Sequence, residues 1–289
     1  MSKTEADTKV PDEFEVSEFE ARAVRDALAL LKRHGAEPSA FRKHAASARR
    51  AAWAAFLVGG AVSMLREVGR FKRDAAELRQ RAAAYRARAQ ERQVGECESA
   101  AARLEARVVK GEAVLAAVPE ADRIDYRARI ASAQARLEAA AGDGDRYRRA
   151  RLPVPPELEE RLTQAEDALT EAQSAWDARR ARFEAHSSAH KEQSAAALRA
   201  LLTTLTNFQL AQATTIKAAI VRGGATVARF PSRLAPEAIE AYRVAVAAGE
   251  IRDRINGSIG AGMGEFWAAL DEDAAGVLRE ALEPRRRAS

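Results

Sequence analysis

The sequence predicts an all-α fold: an elongated antiparallel coiled coil or helical bundle with two long helices and shorter helices packed against them. Three observations carry this. Apolar residues recur at spacings of three, four and seven over most of the 289 residues, the period of a helix face. Alternating runs of β-branched residues, the mark of strands, are missing. The chain is 47% hydrophobic, with alanine supplying much of that, only 6% aromatic and 31% charged, a mixture suited to helices meeting through narrow seams.

The opening MSKTEADTKVPDEFE is polar and acidic. Residues 1–14 are expected to be disordered, without the apolar core of a secretory signal. Val16, Phe19, Ala23, Ala27 and Leu31 then mark an amphipathic helix ending near His34 and Gly35,. A second helix opens at Pro38 and Ser39, with apolar positions from Phe41 through Ala45, Ala52 and Phe56 to Leu65, Val68, Ala75, Leu78, Ala82 and Tyr85. Its seam shifts frame near Arg92 and resumes as Val94, Cys97, Ala101, Leu104, Val108, Gly111 and Leu115 up to Pro119, as a coiled coil does at a stutter.

Pro119 and Glu120 open a shorter helix carrying Ile124, Ile130, Ala133 and Leu137, closed by AGDGDR as a loop. Pro155 and Pro156 preset the next helix, and Glu157, Glu159 and Glu160 complement its dipole,. Its heptads run through Leu158, Leu162, Ala165, Leu169, Ala172, Trp176 and Phe183 and continue through Leu198, Leu201, Leu205 and Phe208,. One helix from Glu157 to Arg222 would be roughly 100 Å long at 1.5 Å per residue. Gly223, Gly224 and Pro231 break it. Two short helices follow, Pro236–Ala248 and Glu265–Leu282, joined by the Gly-rich GEIRDRINGSIGAGMG. The expected organisation is a disordered 1–14, a bundle over 15–230 and a C-terminal pair of short helices over 231–289.

Charge is placed unevenly. The whole chain carries +5, but Phe41 to Gln93 holds thirteen Lys or Arg against four acids. Arg66, Arg70, Arg73, Arg81 and Arg88 fall on one helix face beside the seam,, and such a face attracts an anionic surface. The run AAWAAFLVGGAVSML, Ala51 to Leu65, spans about 22 Å as a helix, short of a ~30 Å hydrocarbon core. It reads as a packed helix from which Trp53, Phe56, Leu57 and Met64 could enter a membrane interface. RYRRAR at 146–151 and RRR at 285–287 are further basic clusters, but only Tyr147 and Tyr85 are placed to stack on bases, which disfavours nucleic acid.

The remaining candidates have plain structural readings. His186 and His190 stand one turn apart, a zinc-compatible spacing, yet both lie on or beside the seam without a third ligand nearby. Cys97, the single cysteine, sits at a seam position as a small hydrophobe. GSIGAGMG lacks the Lys-Ser or Lys-Thr of a phosphate loop,. No metal, cofactor, small-molecule substrate or catalytic set is expected.

The stretch HKEQSAAALRALLTTLTNFQLAQ, residues 190–212, resembles the last helix of BAR-type membrane-bending domains, with a polar head leading into Leu-rich turns and an Ala/Gln face. The resemblance extends in outline over about 16–225 and implies long kinked helices, a crescent dimer and a basic membrane-binding surface. The two-long-helix layout is also similar to the stalks of α-helical pore-forming toxins, whose insertion element would here be Ala51 to Leu65. The expected function is a non-enzymatic, cytoplasmic scaffold, peripheral to a membrane. It would self-associate as a homodimer through Leu158, Leu162, Leu169, Trp176, Phe183, Leu198, Leu205 and Phe208, and bind anionic lipid through its arginine face. The alternatives are a coiled-coil adaptor or filament subunit with a protein partner, and a toxin-like pore former.

Overall fold

The computed structural model describes residues 10–257 and 263–283. Among them every regular element is helical, and they fall into two compact units interleaved along the chain. The first takes residues up to Glu15 together with Arg49–His190, and the second takes Val16–Ala48 with the residues from Lys191 onward. The chain is therefore not a bundle over 15–230 followed by a separate tail: the C-terminal helices share a unit with the amphipathic helix near the N-terminus.

The first unit contains two antiparallel helical hairpins. In one, the last residues of α3 (Ser39–Ala55), from Arg49 on, continue through a π-helical turn at Phe56–Gly60 into α4 (Ala61–Arg86), and α5 (Glu91–Ala116) returns along α4. The seam is buried at seven-residue intervals, at Ala61, Val68, Ala75 and Ala82 on α4 and at Ala101, Val108 and Leu115 on α5. Small side chains at this period bring the two backbones close. At Gly111 a Cβ would stand 2.5 Å from Val68 Cγ2, so this approach depends on the missing side chain. A ladder of ion pairs with the same period flanks the seam and matches its antiparallel register: Lys72–Glu112 at 2.5 Å, Arg79–Glu105 at 2.8 Å, and Arg86–Glu98.

The frame shift near Arg92, expected as a stutter in one continuous seam, is instead a chain reversal. The Gln90 N–H donates to the Tyr85 carbonyl at 3.1 Å across Ala89, whose φ is 57°, the hydrogen bonding of a Schellman helix end. Neither Gly nor Pro marks this turn in the sequence, which is why periodicity alone passes over it.

The second hairpin pairs α6 (Tyr126–Arg149) with the first part of α7 (Pro156–Arg229). Its register follows from three contacts: Arg179 over the Tyr126 ring, Arg129 with Glu171 at 3.1 Å, and Gly144 beside Leu162. α6 runs through AGDGDR, expected to be a closing loop. A helical glycine costs about 1 kcal/mol relative to alanine. Burial of Ala140 and Gly144 against α7, with the i,i+3 pairs Asp143–Arg146 and Asp145–Arg148, offsets that cost. Part of the N-terminal stretch expected to be disordered is also packed. The Phe14 ring lies 5.0 Å from Trp53, and Arg49 donates to the Pro11 and Asp12 carbonyls at 2.7 and 3.0 Å; residues 1–9 lie outside the described residues.

In the second unit, α1 (Ser17–Glu20) and α2 (Arg22–Arg33) present Val24, Ala27 and Leu31 to the later part of α7 and to α8 (Pro236–Asn256). α7 buries Ala197, Leu201, Leu205 and Phe208 there, then Ala213, Ile216 and Ala219 in a core completed by α9 (Gly264–Ala269) and α10 (Glu272–Leu282). As expected, the pattern breaks at Gly224, where φ is 50° and ψ −140°. α8 continues past Ala248 through eight residues expected as linker. Of that Gly-rich stretch, 258–262 lies outside the described residues. The expected helix over Glu265–Leu282 is two helices, because Asp271 starts a new one by accepting the Ala274 N–H at 2.9 Å.

Candidate functional site: an arginine face on α4 and a cavity at the π turn

α4 divides its cations between two jobs. Lys72, Arg79 and Arg86 turn toward α5 and meet its glutamates. Hydrogen bonding to Glu105 raises the Arg79 pKa, and the same contact lowers that of Glu105. The five arginines singled out from the sequence are all exposed. Among the described residues Arg70 and Arg81 pair only within their own helix, with Glu67 at 3.7 Å and Glu77 at 2.6 Å. Arg66 pairs with Asp125. Among the described residues Arg73 and Arg88 make no ion pair. Such exposed pairs hold their charges loosely, at about 0–1 kcal/mol each.

The apolar run beside this face is packed. By length and composition the Ser39–Arg86 helix contains a window apolar enough to cross a membrane, of which 33% is buried. Trp53 and Leu57, read from the sequence as packed residues able to enter a membrane interface, are 2% and 9% exposed in the core of the first unit. Phe56 and Met64 are partly buried and line a shallow groove of about 270 Å³ with Phe71 and Val114. The proposed self-association seam is likewise largely consumed inside the chain. Leu158, Leu205 and Phe208 are buried, and Leu162, Leu169, Trp176 and Leu198 are partly buried, because α6, α2 and α8 fill the stripe meant for a second copy. Phe183, at 40% exposure, is the seam residue left open.

One buried residue of the first unit lies outside the candidates read from sequence periodicity. Arg179 follows Leu158, Ala165 and Ala172 at the seven-residue interval and is only 4% exposed. Its Nε donates to the Val58 carbonyl at 2.5 Å, and its Nη2 donates to the carbonyls of Leu57 at 3.2 Å and Asp122 at 2.7 Å. It thereby ties the π turn to the entry of α6. Gly59 makes room for α7 at this point, since a Cβ there would lie 2.5 Å from the Phe183 ring. π-helical turns within α-helices frequently occur at functional sites. A charged residue in phase with a seam is the sequence signal that marks Arg179.

A cavity of about 520 Å³ opens beside this arginine. Arg66, Arg127, Arg179 and Arg180 line it together with Trp176 and Phe183. Arg127 lies over the Trp176 ring at 5.6 Å, and Arg180 pairs with Glu184 at 3.0 Å. Asp125, at the same cavity, caps α6 by accepting the Ala128 N–H at 3.2 Å. That hydrogen bond, with the charge of Arg66, holds its carboxyl below the usual range against the opposing effect of burial.

The other candidates carry less. Among the described residues no three His, Cys, Asp or Glu side chains come together as a metal set. His186 and His190 are partly buried on α7, and Cys97 is partly buried on α5. In RYRRAR, Arg146 and Arg148 are engaged by Asp143 and Asp145; residues 285–287 lie outside the described residues. Comparison with protein families, characterised proteins and solved structures found no match to this chain.

Proposed function

We propose that the protein is a non-enzymatic helical scaffold that docks on anionic membrane surfaces through the outward arginines of α4. One observation supports this reading above the rest: the division of charge on that helix. The cations facing α5 are matched by glutamates at the same period, whereas the outward set is met only by carboxylates of its own helix and by Asp125, and Arg73 and Arg88 by none among the described residues. Each arginine near an anionic lipid surface contributes about 1 kcal/mol, so the five give reversible attachment. This is also the activity that the resemblance to BAR-type domains implies. Self-association through the heptads of α7 is no part of the proposal, since the chain's own helices occupy them.

Co-sedimentation with phosphatidylserine vesicles tests it. Binding should be clear at low salt and fall steeply toward 0.5 M, roughly where screening shortens to a few ångströms. Absence of binding at low salt overturns the reading in favour of an adaptor for an acidic protein, and release of trapped dye on binding would favour the toxin-like alternative.

A further inference from the structure

From the surroundings of Arg179 we infer that the cavity at the π turn binds a compact dianion of the phosphomonoester type carried on an apolar or aromatic body. Arg179 is a buried cation whose donors meet carbonyl oxygens and which lies over the Tyr126 ring at 5.0 Å; among the described residues no carboxylate pairs with it. Burying a charge is costly unless an opposite charge or a full set of hydrogen bonds compensates it. Carbonyl dipoles supply part of that compensation, and the adjoining cavity is where an anion supplies the rest.

The other walls point the same way. Four arginines line the cavity against Asp125, and Glu184 sits on Arg180, leaving an excess of two positive charges. A phosphomonoester at pH 7 carries about 1.5 to 2 negative charges and three strong acceptor oxygens, and guanidinium forks match such oxygens in pairs. Arg127 has no carboxylate partner among the described residues and lies over the Trp176 ring at 5.6 Å, so its donors can turn to a ligand. The apolar part of the ligand would rest on Trp176, Phe183 and Ile124, the latter two 40% and 38% exposed at the cavity. At about 520 Å³ the volume lies in the range of small-molecule sites,.

The chemistry could come from a soluble ester or from a lipid headgroup, and two probes separate these. Isothermal titration with 1-naphthyl phosphate should show saturable binding, weakened at least about tenfold in Arg127→Gln and in Trp176→Leu. The monoanion 1-naphthyl sulfate should bind at least about tenfold more weakly than the phosphate. Both substituted residues lie outside the buried cores, and circular dichroism reports whether each variant folds. If naphthyl phosphate does not bind but vesicles containing phosphatidic acid bind in an Arg127-dependent way, the site takes a lipid phosphate. If neither probe responds to Arg127, the proposal is overturned. Charge reversal at Arg73 and Arg88 should leave naphthyl phosphate binding unchanged, so this test stands apart from that of the arginine face.

Discussion

At the scale of single residues, two left-handed backbone positions and one cap decide where helices stop and start. Ala89 and Arg151 hold φ values of 57° and 55° without being glycine. Such a conformation costs about 1–2 kcal/mol for a residue with a Cβ. Ala89→Gly relieves that cost while adding roughly 0.4–1 kcal/mol of unfolded-state entropy, so it should stabilise the protein by about 0.5–1 kcal/mol in urea denaturation. Gly35→Ala, at φ 71°, should do the reverse. Asp125 makes stability depend on pH. Its folded pKa lies below the unfolded value of about 3.9,, so its contribution is fully present above that value and is lost as pH falls through the folded one. Between about pH 5 and 3 the urea midpoint should therefore fall more for the wild type than for Asp125→Asn, which keeps a capping oxygen but does not titrate. Equal slopes would remove Asp125 from the account.

At the scale of elements, how much could be read from the sequence depended on whether a residue's signal was local. The start of α7 at Pro156, the C-terminal end of α2 before Gly35 and the break at Gly224 were legible, because Pro and Gly act on their own backbone. The reversal after Arg86 and the helix through AGDGDR were not. In one a non-glycine adopts a left-handed turn, and in the other tertiary burial of Ala140 and Gly144 overrides a local preference for loop. The arginine face of α4 was legible as helical spacing. The Arg179 cavity was not, since it assembles from three segments far apart in sequence, although the charge of Arg179 in heptad phase is a local signal. Close approach of α4 and α5 is open to a direct test. Gly111→Ala gains about 1 kcal/mol of helix propensity but crowds Val68, and overpacking costs about 1–3 kcal/mol,. The substitution should destabilise the wild type by about 1 kcal/mol, yet stabilise a Val68→Ala background by a similar amount, where only the propensity gain remains.

At the scale of the whole molecule, the formal net charge of +5 is a poor guide to what the protein meets, because some cations are matched by nearby carboxylates and others are not. What matters is where charge is left over. Both units are all-helical, and the second also exposes arginines: Arg229 and Arg233 rest on the Phe230 ring at 5.5 and 5.2 Å and have no ion pair among the described residues. Net charge and local placement therefore make different forecasts. The measurement that separates them is vesicle co-sedimentation at fixed ionic strength for two double variants with the same change in net charge, Arg73→Glu with Arg88→Glu and Arg229→Glu with Arg233→Glu. If α4 is the docking face, the first pair abolishes binding to phosphatidylserine vesicles and the second leaves most of it intact. Equal loss in both would mean that the attraction belongs to net charge and not to α4.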